Sequence, residues 1–170
     1  MQENSVTTRP INPDDEAFLL DVYASTRVEE LSVVPWNDAQ RAAFLRMQLK
    51  AQHDFYLMKF PYANLQVVLL DQTPVGRLYL AKGEDEIRIL DITLLPAYRN
   101  RGIGTPLIKE LMAEGEASGR PVRIYVESYS PAFNLFERLG FTQIGEYGAS
   151  FQMEWRADKS GQLATDSQAE

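Results

Sequence analysis

The chain has 170 residues, 45% of them hydrophobic and 24% charged, which is the size and make-up of one ordinary globular domain that folds without staples. Lys+Arg 17 against Asp+Glu 24 leaves a net charge of -7, which repels nucleic acid and anionic membrane surfaces. With no cysteine and one histidine, His53, a disulfide scaffold, a thiolate metal site, a covalent cysteine nucleophile and a His-rich metal site are excluded.

In chain order, Ser5 to Arg9 reads as a short strand. Asn12-Pro13-Asp14-Asp15 is a helix start, with an Asn cap, Pro at the first position and acids in the first turn. Phe18, Leu19, Val22 and Tyr23 then recur at helical spacing, which predicts one helix to about Leu31. Val33-Val34-Pro35-Trp36 interrupts it, and Asn37 caps a second helix that fades before Pro61. Leu65 to Leu70, Val75 to Ala81 and Ile87 to Leu95 read as a meander of strands, turning at Asp71-Gln72-Thr73-Pro74 and Gly83-Glu84-Asp85. Gly102 to Ser118 is helical and Gly119-Arg120-Pro121 ends it. Val122 to Val126 is a strand, so strand, helix and strand imply a right-handed parallel crossover. Pro131 to Leu139 is a further helix, and Phe141 to Glu146 with Ser150 to Trp155 a final antiparallel pair. The whole predicts a mixed α/β sheet with helices on both faces, one domain over 1–156 and a disordered tail over 157–170.

The longest apolar stretches, such as Val67 to Leu70, are far too short to span a membrane. Met1 to Asn4 lack the basic start and apolar run of a signal peptide. A soluble, cytoplasmic protein with small-molecule or protein partners is expected, with no nucleic-acid, membrane or metal partner. The last strand pair is a candidate dimer contact.

The chemistry concentrates in Leu94-Leu95-Pro96-Ala97-Tyr98-Arg99-Asn100-Arg101-Gly102-Ile103-Gly104-Thr105. A strand ends, a basic glycine loop follows and a helix begins. Helix N-termini carry unpaired N–H groups and partial positive charge, and glycines let the backbone approach a ligand closely. The combination describes a phosphate or pyrophosphate cradle. A Walker loop needs Lys-Ser/Thr after its last Gly, where Thr105-Pro106 stands. A dinucleotide fingerprint needs a third Gly, where Leu107 stands.

Arg-x-x-Gly-x-Gly, read at Arg99, Gly102 and Gly104, resembles the acyl-CoA pyrophosphate loop of the GNAT superfamily of N-acetyltransferases. Leu94-Leu95-Pro96 is similar to the aliphatic-x-Pro lead-in of that family. Downstream, Pro131-Ala132-Phe133-Asn134-Leu135-Phe136-Glu137-Arg138-Leu139-Gly140-Phe141 resembles a second signature, Asn-Pro-Ala-x-x-Leu-Tyr-Glu-x-Leu-Gly-Phe. The resemblance covers about Val6 to Trp155.

It implies a central, mostly antiparallel sheet holding acetyl-CoA between two splayed parallel strands, Ile87–Leu95 and Val122–Val126. Backbone groups of Ile92, Thr93 and Leu94 would pair with the pantetheine arm like an added strand, and an N–H near Leu94 would polarise the thioester carbonyl. N–H groups of Asn100, Arg101, Gly102, Ile103, Gly104 and Thr105, beside Arg99, would hold the pyrophosphate. Ser130, or Tyr129 on the alternative Asn-x-x-Ala spacing, stands where the family has an Asn that contacts the cofactor or acceptor. Phe136 stands where it often has the Tyr that protonates the leaving thiolate. Pro106 removes one N–H from the first helical turn.

Without a cysteine to carry the acyl group, an amine would attack the thioester directly in a ternary complex. Asp91, inside an apolar run, and Glu127, at the end of the next parallel strand, are candidate bases. Tyr129, with Tyr125, is a candidate substitute for the missing phenol. The segment Val33 to Tyr62 would form the acceptor side, with Trp36, Tyr56, Phe60 and Tyr62 as wall residues and His53 on the helix surface. Arg88 is a candidate to bind an acidic acceptor group or to pair with Asp91 or Glu86. Two functions follow: acetyl transfer to an amine, or acyl-CoA binding without turnover.

Overall fold

A computed structural model describes residues 5–127 and 130–157. Tyr129 and 158–170, nearly all of the expected tail, lie outside the described residues. A seven-stranded sheet has the order β1-β2-β3-β4-β5-β7-β6. Its strands are β1 (Val6–Pro10), β2 (Asn64–Leu70), β3 (Thr73–Lys82), β4 (Ile87–Leu94), β5 (Val122–Glu127), β6 (Thr142–Tyr147) and β7 (Ser150–Trp155). The helices are α1 (Glu16–Ser25), α2 (Val28–Ser32), α3 (Asp38–Lys59), α4 (Gly104–Ser118) and α5 (Pro131–Arg138). Pairing is antiparallel at β1–β2, β2–β3, β5–β7 and β6–β7, and parallel at β4–β5. The mixed, mostly antiparallel sheet expected from the motifs is therefore present.

The chain divides into two compact units, the described parts of 1–81 with 90–107 and of 82–89 with 108–170. In the first, α1 and α3 bury Leu19, Tyr23, Leu45 and Leu49 together with Leu31 of α2. The expected single helix to Leu31 is broken. Ser25 Oγ donates to Val22 O at 2.6 Å and Thr26 Oγ1 to Tyr23 O at 2.7 Å. These hydroxyls take carbonyls that a continuing helix would use, and Arg27 leaves helical geometry. Asn37 begins α3 as expected, through reciprocal bonds with Gln40 of 2.9 and 2.8 Å. The β2–β3 turn is tighter than expected: Asp71 (φ 50) and Gln72 (φ 72) alone make it, as a two-residue hairpin requires.

In the second unit, Ile87, Arg88 and Ile89 of β4 pair with Val122, Arg123 and Ile124 of β5. Ile108 and Leu111 of α4, Phe136 of α5, Phe141 and Met153 are buried in that unit with the apolar residues of these strands. Among the described residues, no helix is long and apolar enough to cross a membrane.

Candidate active site

The glycine loop lies in the first unit. Leu95 N donates to Val75 O at 2.9 Å, which ties the end of β4 to β3. Pro96–Tyr98 then makes a single tight turn. Arg99 Nε donates to Leu94 O at 3.0 Å, and Arg101 reaches Ala97 O at 3.4 Å while its guanidinium lies 5.3 Å from the Tyr98 ring centre. Both arginines are exposed, so they brace the loop and keep their charge in solvent.

Asn100 (φ 58) and Gly102 (φ 75) turn the chain into α4, and a Cβ on Gly102 would meet nothing within 4 Å. The helix starts at Gly104, two residues later than the sequence suggests. Its first N–H groups have no intrahelical partner by geometry, apart from Pro106, which has none to offer. Ile103, within the loop, is buried. The loop is an open, positively biased backbone surface at the start of a 15-residue helix.

In the same unit, β3 and β4 carry a polar cluster. Arg77, 2% exposed, places Nε 2.5 Å from Asp91 Oδ2, and Thr93 Oγ1 donates to the same oxygen at 2.9 Å. The guanidinium carbon lies 4.8 Å from the Tyr79 ring centre and 5.6 Å from that of Tyr23. Burial works against the Arg77 charge, but the facing carboxylate of Asp91 outweighs it and holds the pKa above its ordinary value. Tyr56 donates to Leu90 O at 3.2 Å, and burial pushes its pKa up. His53 is half-buried, not free on the helix surface: Nε2 lies 2.8 Å from the Tyr79 hydroxyl, and burial, then the Arg77 charge, lowers its pKa.

Arg77, Tyr79 and Tyr23 carry no motif. Their signal is an arginine inside Val75-Gly76-Arg77-Leu78-Tyr79-Leu80, a strand buried at nearly every position, which demands a buried counter-ion. Gly76 allows that strand to lie close to β4, because a Cβ there would stand 2.4 Å from Thr93 O.

The remaining expected site residues are described each within its own unit. Trp36 packs on the α1–α3 core, its ring 5.0 Å from that of Phe44. Phe60 and Tyr62 pair with each other at 6.2 Å. In the second unit, Arg88 pairs with Glu86 at 3.0 Å and lies over Tyr125 at 5.0 Å, and Arg123 bridges Glu86 and Glu154 at 3.1 and 2.7 Å. Glu86, named above as a possible partner of Arg88, is thus the centre of an ion-pair network. Glu127 is exposed at the end of β5. Ser130 caps α5 by accepting from Ala132 N at 3.2 Å. Phe136 is fully buried, its ring 5.0 Å from Phe141. Among the described residues, no cluster of three His, Cys, Asp or Glu side chains could hold a metal ion.

Residues 19–141 match the sequence model of the Acetyltransferase (GNAT) family. Together with the glycine loop and the mixed sheet, that match establishes that the chain belongs to this family, and so to a family of acyltransferases. An uncharacterised N-acetyltransferase of Schizosaccharomyces pombe is 44% identical over 52 residues, 31% of this chain. The match spans only about a third of that relative, 35% of its length. Among solved structures, the PaiA N-acetyltransferase of Thermoplasma acidophilum, in complex with coenzyme A, is similar with a TM-score of 0.65 at 19% identity, over 90% of this chain and 99% of that one. An acetyltransferase of Thermus thermophilus is similar with a TM-score of 0.66 at 19% identity, over 90% and 97% of the two chains. The ribosomal-protein-S18-alanine N-acetyltransferase of Escherichia coli is similar with a TM-score of 0.60 at 15% identity, over 89% and 94%. These likenesses are likenesses of fold.

Proposed function

We propose that the protein transfers an acetyl group from acetyl-CoA to a primary amine of a small molecule or peptide, by direct attack in a ternary complex. The observation that carries this reading is the loop from Arg99 to Thr105. It is open at Gly102, positively biased, and opens α4, in a chain matched to the family over 19–141. The N–H groups of Asn100 to Thr105 would hold the pyrophosphate, with Arg99 and Arg101 supplying charge. The backbone of Ile92, Thr93 and Leu94 would take the pantetheine arm, with an N–H at Leu94 facing the thioester oxygen. The coenzyme A in the Thermoplasma relative supports a CoA-type donor here.

Asp91 is the better-supported partner for the amine. Arg77 and Thr93 both engage Oδ2, which orients the carboxylate and leaves Oδ1 for an ammonium group or a water that removes its proton. Glu127 is the second candidate. Ser130 would contact the cofactor through its hydroxyl, Tyr129 would serve as acid, and Trp36 and Arg88 would bound the acceptor. The full burial of Phe136 favours packing over ligand contact and leaves no phenol there. That last observation also supports a second reading, an acyl-CoA-binding module without turnover.

Thermal unfolding with acetyl-CoA, against ATP and NAD, tests the first step. At 100 times its dissociation constant a ligand adds about 2.7 kcal/mol, so a clear shift with acetyl-CoA alone is expected. Gly102→Val, at a positive φ, is expected to remove that shift. Thiol release with an amine panel then separates the two readings. No shift, or an equal shift with ATP, overturns both.

A further inference from the structure

Three side chains of α3 reach the polar cluster of β3 and β4. Gln48 accepts from the Tyr23 hydroxyl at 3.1 Å. His53 Nε2 lies 2.8 Å from the Tyr79 hydroxyl, and the two rings meet edge-on at 5.3 Å. Tyr56 lies edge-on to Tyr79 at 6.2 Å and donates to Leu90 O, one residue before Asp91. Tyr79 and Tyr23 are the rings against which the Arg77 guanidinium rests. A run of printed contacts therefore leads from His53 through Tyr79 and Arg77 to Asp91. His53 is the one histidine of the chain and stands in neither sequence motif.

The Tyr79 hydroxyl is the vulnerable group in this run. Tyr79 is fully buried, so its hydroxyl needs a partner within the protein, and leaving it without one is costly. The charged groups that act on it include Arg77 and Asp91. A phenol donates to a carboxylate oxygen or accepts from a guanidinium. Freed from His53, the Tyr79 hydroxyl would compete for that pair. A bond to Asp91 Oδ1 would occupy the oxygen that the amine needs. A bond from Arg77 would draw the guanidinium away from Oδ2, which Arg77 and Thr93 now hold. An imidazole suits the task of preventing both. Burial keeps His53 uncharged near neutrality, so it sets no second cation beside Arg77. A neutral ring nitrogen serves a phenol as donor or as acceptor, according to tautomer.

We propose that His53 is a positioning residue for acetyl transfer: by holding the Tyr79 hydroxyl, it keeps that phenol out of the Arg77–Asp91 pair and leaves Asp91 Oδ1 open to the amine. This rests on the acetyl-transfer reading above and on Asp91 as the partner of the amine within it.

The test follows thiol release by the full chain with alaninamide, isopropylamine and phenethylamine at saturating acetyl-CoA, and thermal unfolding with and without acetyl-CoA. His53→Leu orphans the phenol. It is expected to lower kcat roughly tenfold, with KM for acetyl-CoA and the acetyl-CoA thermal shift unchanged. His53→Gln, whose amide reaches about as far as Nε2, is expected to recover most of that loss. His53→Asn, one methylene shorter, is expected to be as slow as His53→Leu, and it keeps the comparison if the leucine variant does not fold. Tyr79→Phe removes the competing hydroxyl and leaves half-buried His53 with access to water, so it is expected to lose less kcat than His53→Leu. The double variant His53→Leu/Tyr79→Phe is then expected to regain kcat and match Tyr79→Phe. A packing role alone would lower the melting temperature of His53→Leu and leave kcat standing; that result overturns this inference and leaves acetyl transfer in place. So does a double variant as slow as His53→Leu. Stabilisation by acetyl-CoA without thiol release from any of the three amines favours the module without turnover and overturns this inference. Neither stabilisation nor thiol release overturns the acetyl-transfer reading itself, and this inference falls with it.

Discussion

Arg77 and Asp91 hold each other in place unequally. Arg77 is 2% exposed and Asp91 24%, so removing the carboxylate strands the more deeply buried charge. Asp91→Leu is therefore expected to cost about 3–5 kcal/mol, the range for breaking one side of a buried pair. Arg77→Met is expected to cost less, because Asp91 retains some water and the Thr93 hydroxyl. The double variant is expected to regain part of the loss, because it leaves no uncompensated charge. Urea denaturation of the four proteins checks this, and simple additivity would show that the pair is not coupled. Asp91 was legible as an odd acid in an apolar run. Its partner was not, because Arg77 lies 14 residues away on another strand and only the strand register selects it over Arg88.

Among the elements, β3 and β4 depend on one absent side chain. A Cβ on Gly76 would approach Thr93 O to 2.4 Å and Leu94 Cδ2 to 2.8 Å. The nearest obstacle is backbone, which cannot swing away. Gly76→Ala is expected to destabilise by about 1–3 kcal/mol or more, as overpacking does. A fall in melting temperature of at least roughly 2–4 °C should accompany it. It would also shift the Thr93–Leu94 backbone, so acetyl-CoA binding is expected to weaken together with stability. An unchanged melting temperature would mean that the strands part without cost. Element positions were largely readable, because caps such as Asn37 with Gln40 and apolar spacing are local signals. The break after Ser25 was not, because hydroxyls that take carbonyls look in sequence like ordinary helix residues.

For the whole molecule, the titrating groups set a pH range of stability. Burial lowers the His53 pKa from 6.5. The Arg9 hydrogen bond lowers that of Asp15 from 3.8, and for Glu154 burial is outweighed by Arg156 and Arg123, which lower it from 4.5. In each case the unfolded chain binds the proton first, so stability is lost as pH falls. The loss starts below 6.5 with His53 and steepens below 4.5. Burial raises Tyr56 and Tyr79 above 10.0, so the unfolded chain releases those protons first and stability is also lost above that pH. Urea midpoints should form a plateau between these limits. His53→Gln is expected to flatten the first acid limb, and a wild-type midpoint unchanged from neutrality to pH 5 would contradict the assignment of His53.

What the sequence by itself determined was the family, the cofactor-loop candidate, the parallel crossover and most of the elements. Each of these is encoded within a short window by glycines, caps and hydrophobic period. The tertiary structure alone decided which polar groups meet. Tyr23 with Gln48, His53 with Tyr79 and Tyr56 with Leu90 join residues 25, 26 and 34 positions apart. Such pairings depend on register and on which helix face meets the sheet. A one-residue slip along a strand would turn every side chain to the other face, and no single stretch of sequence records that choice.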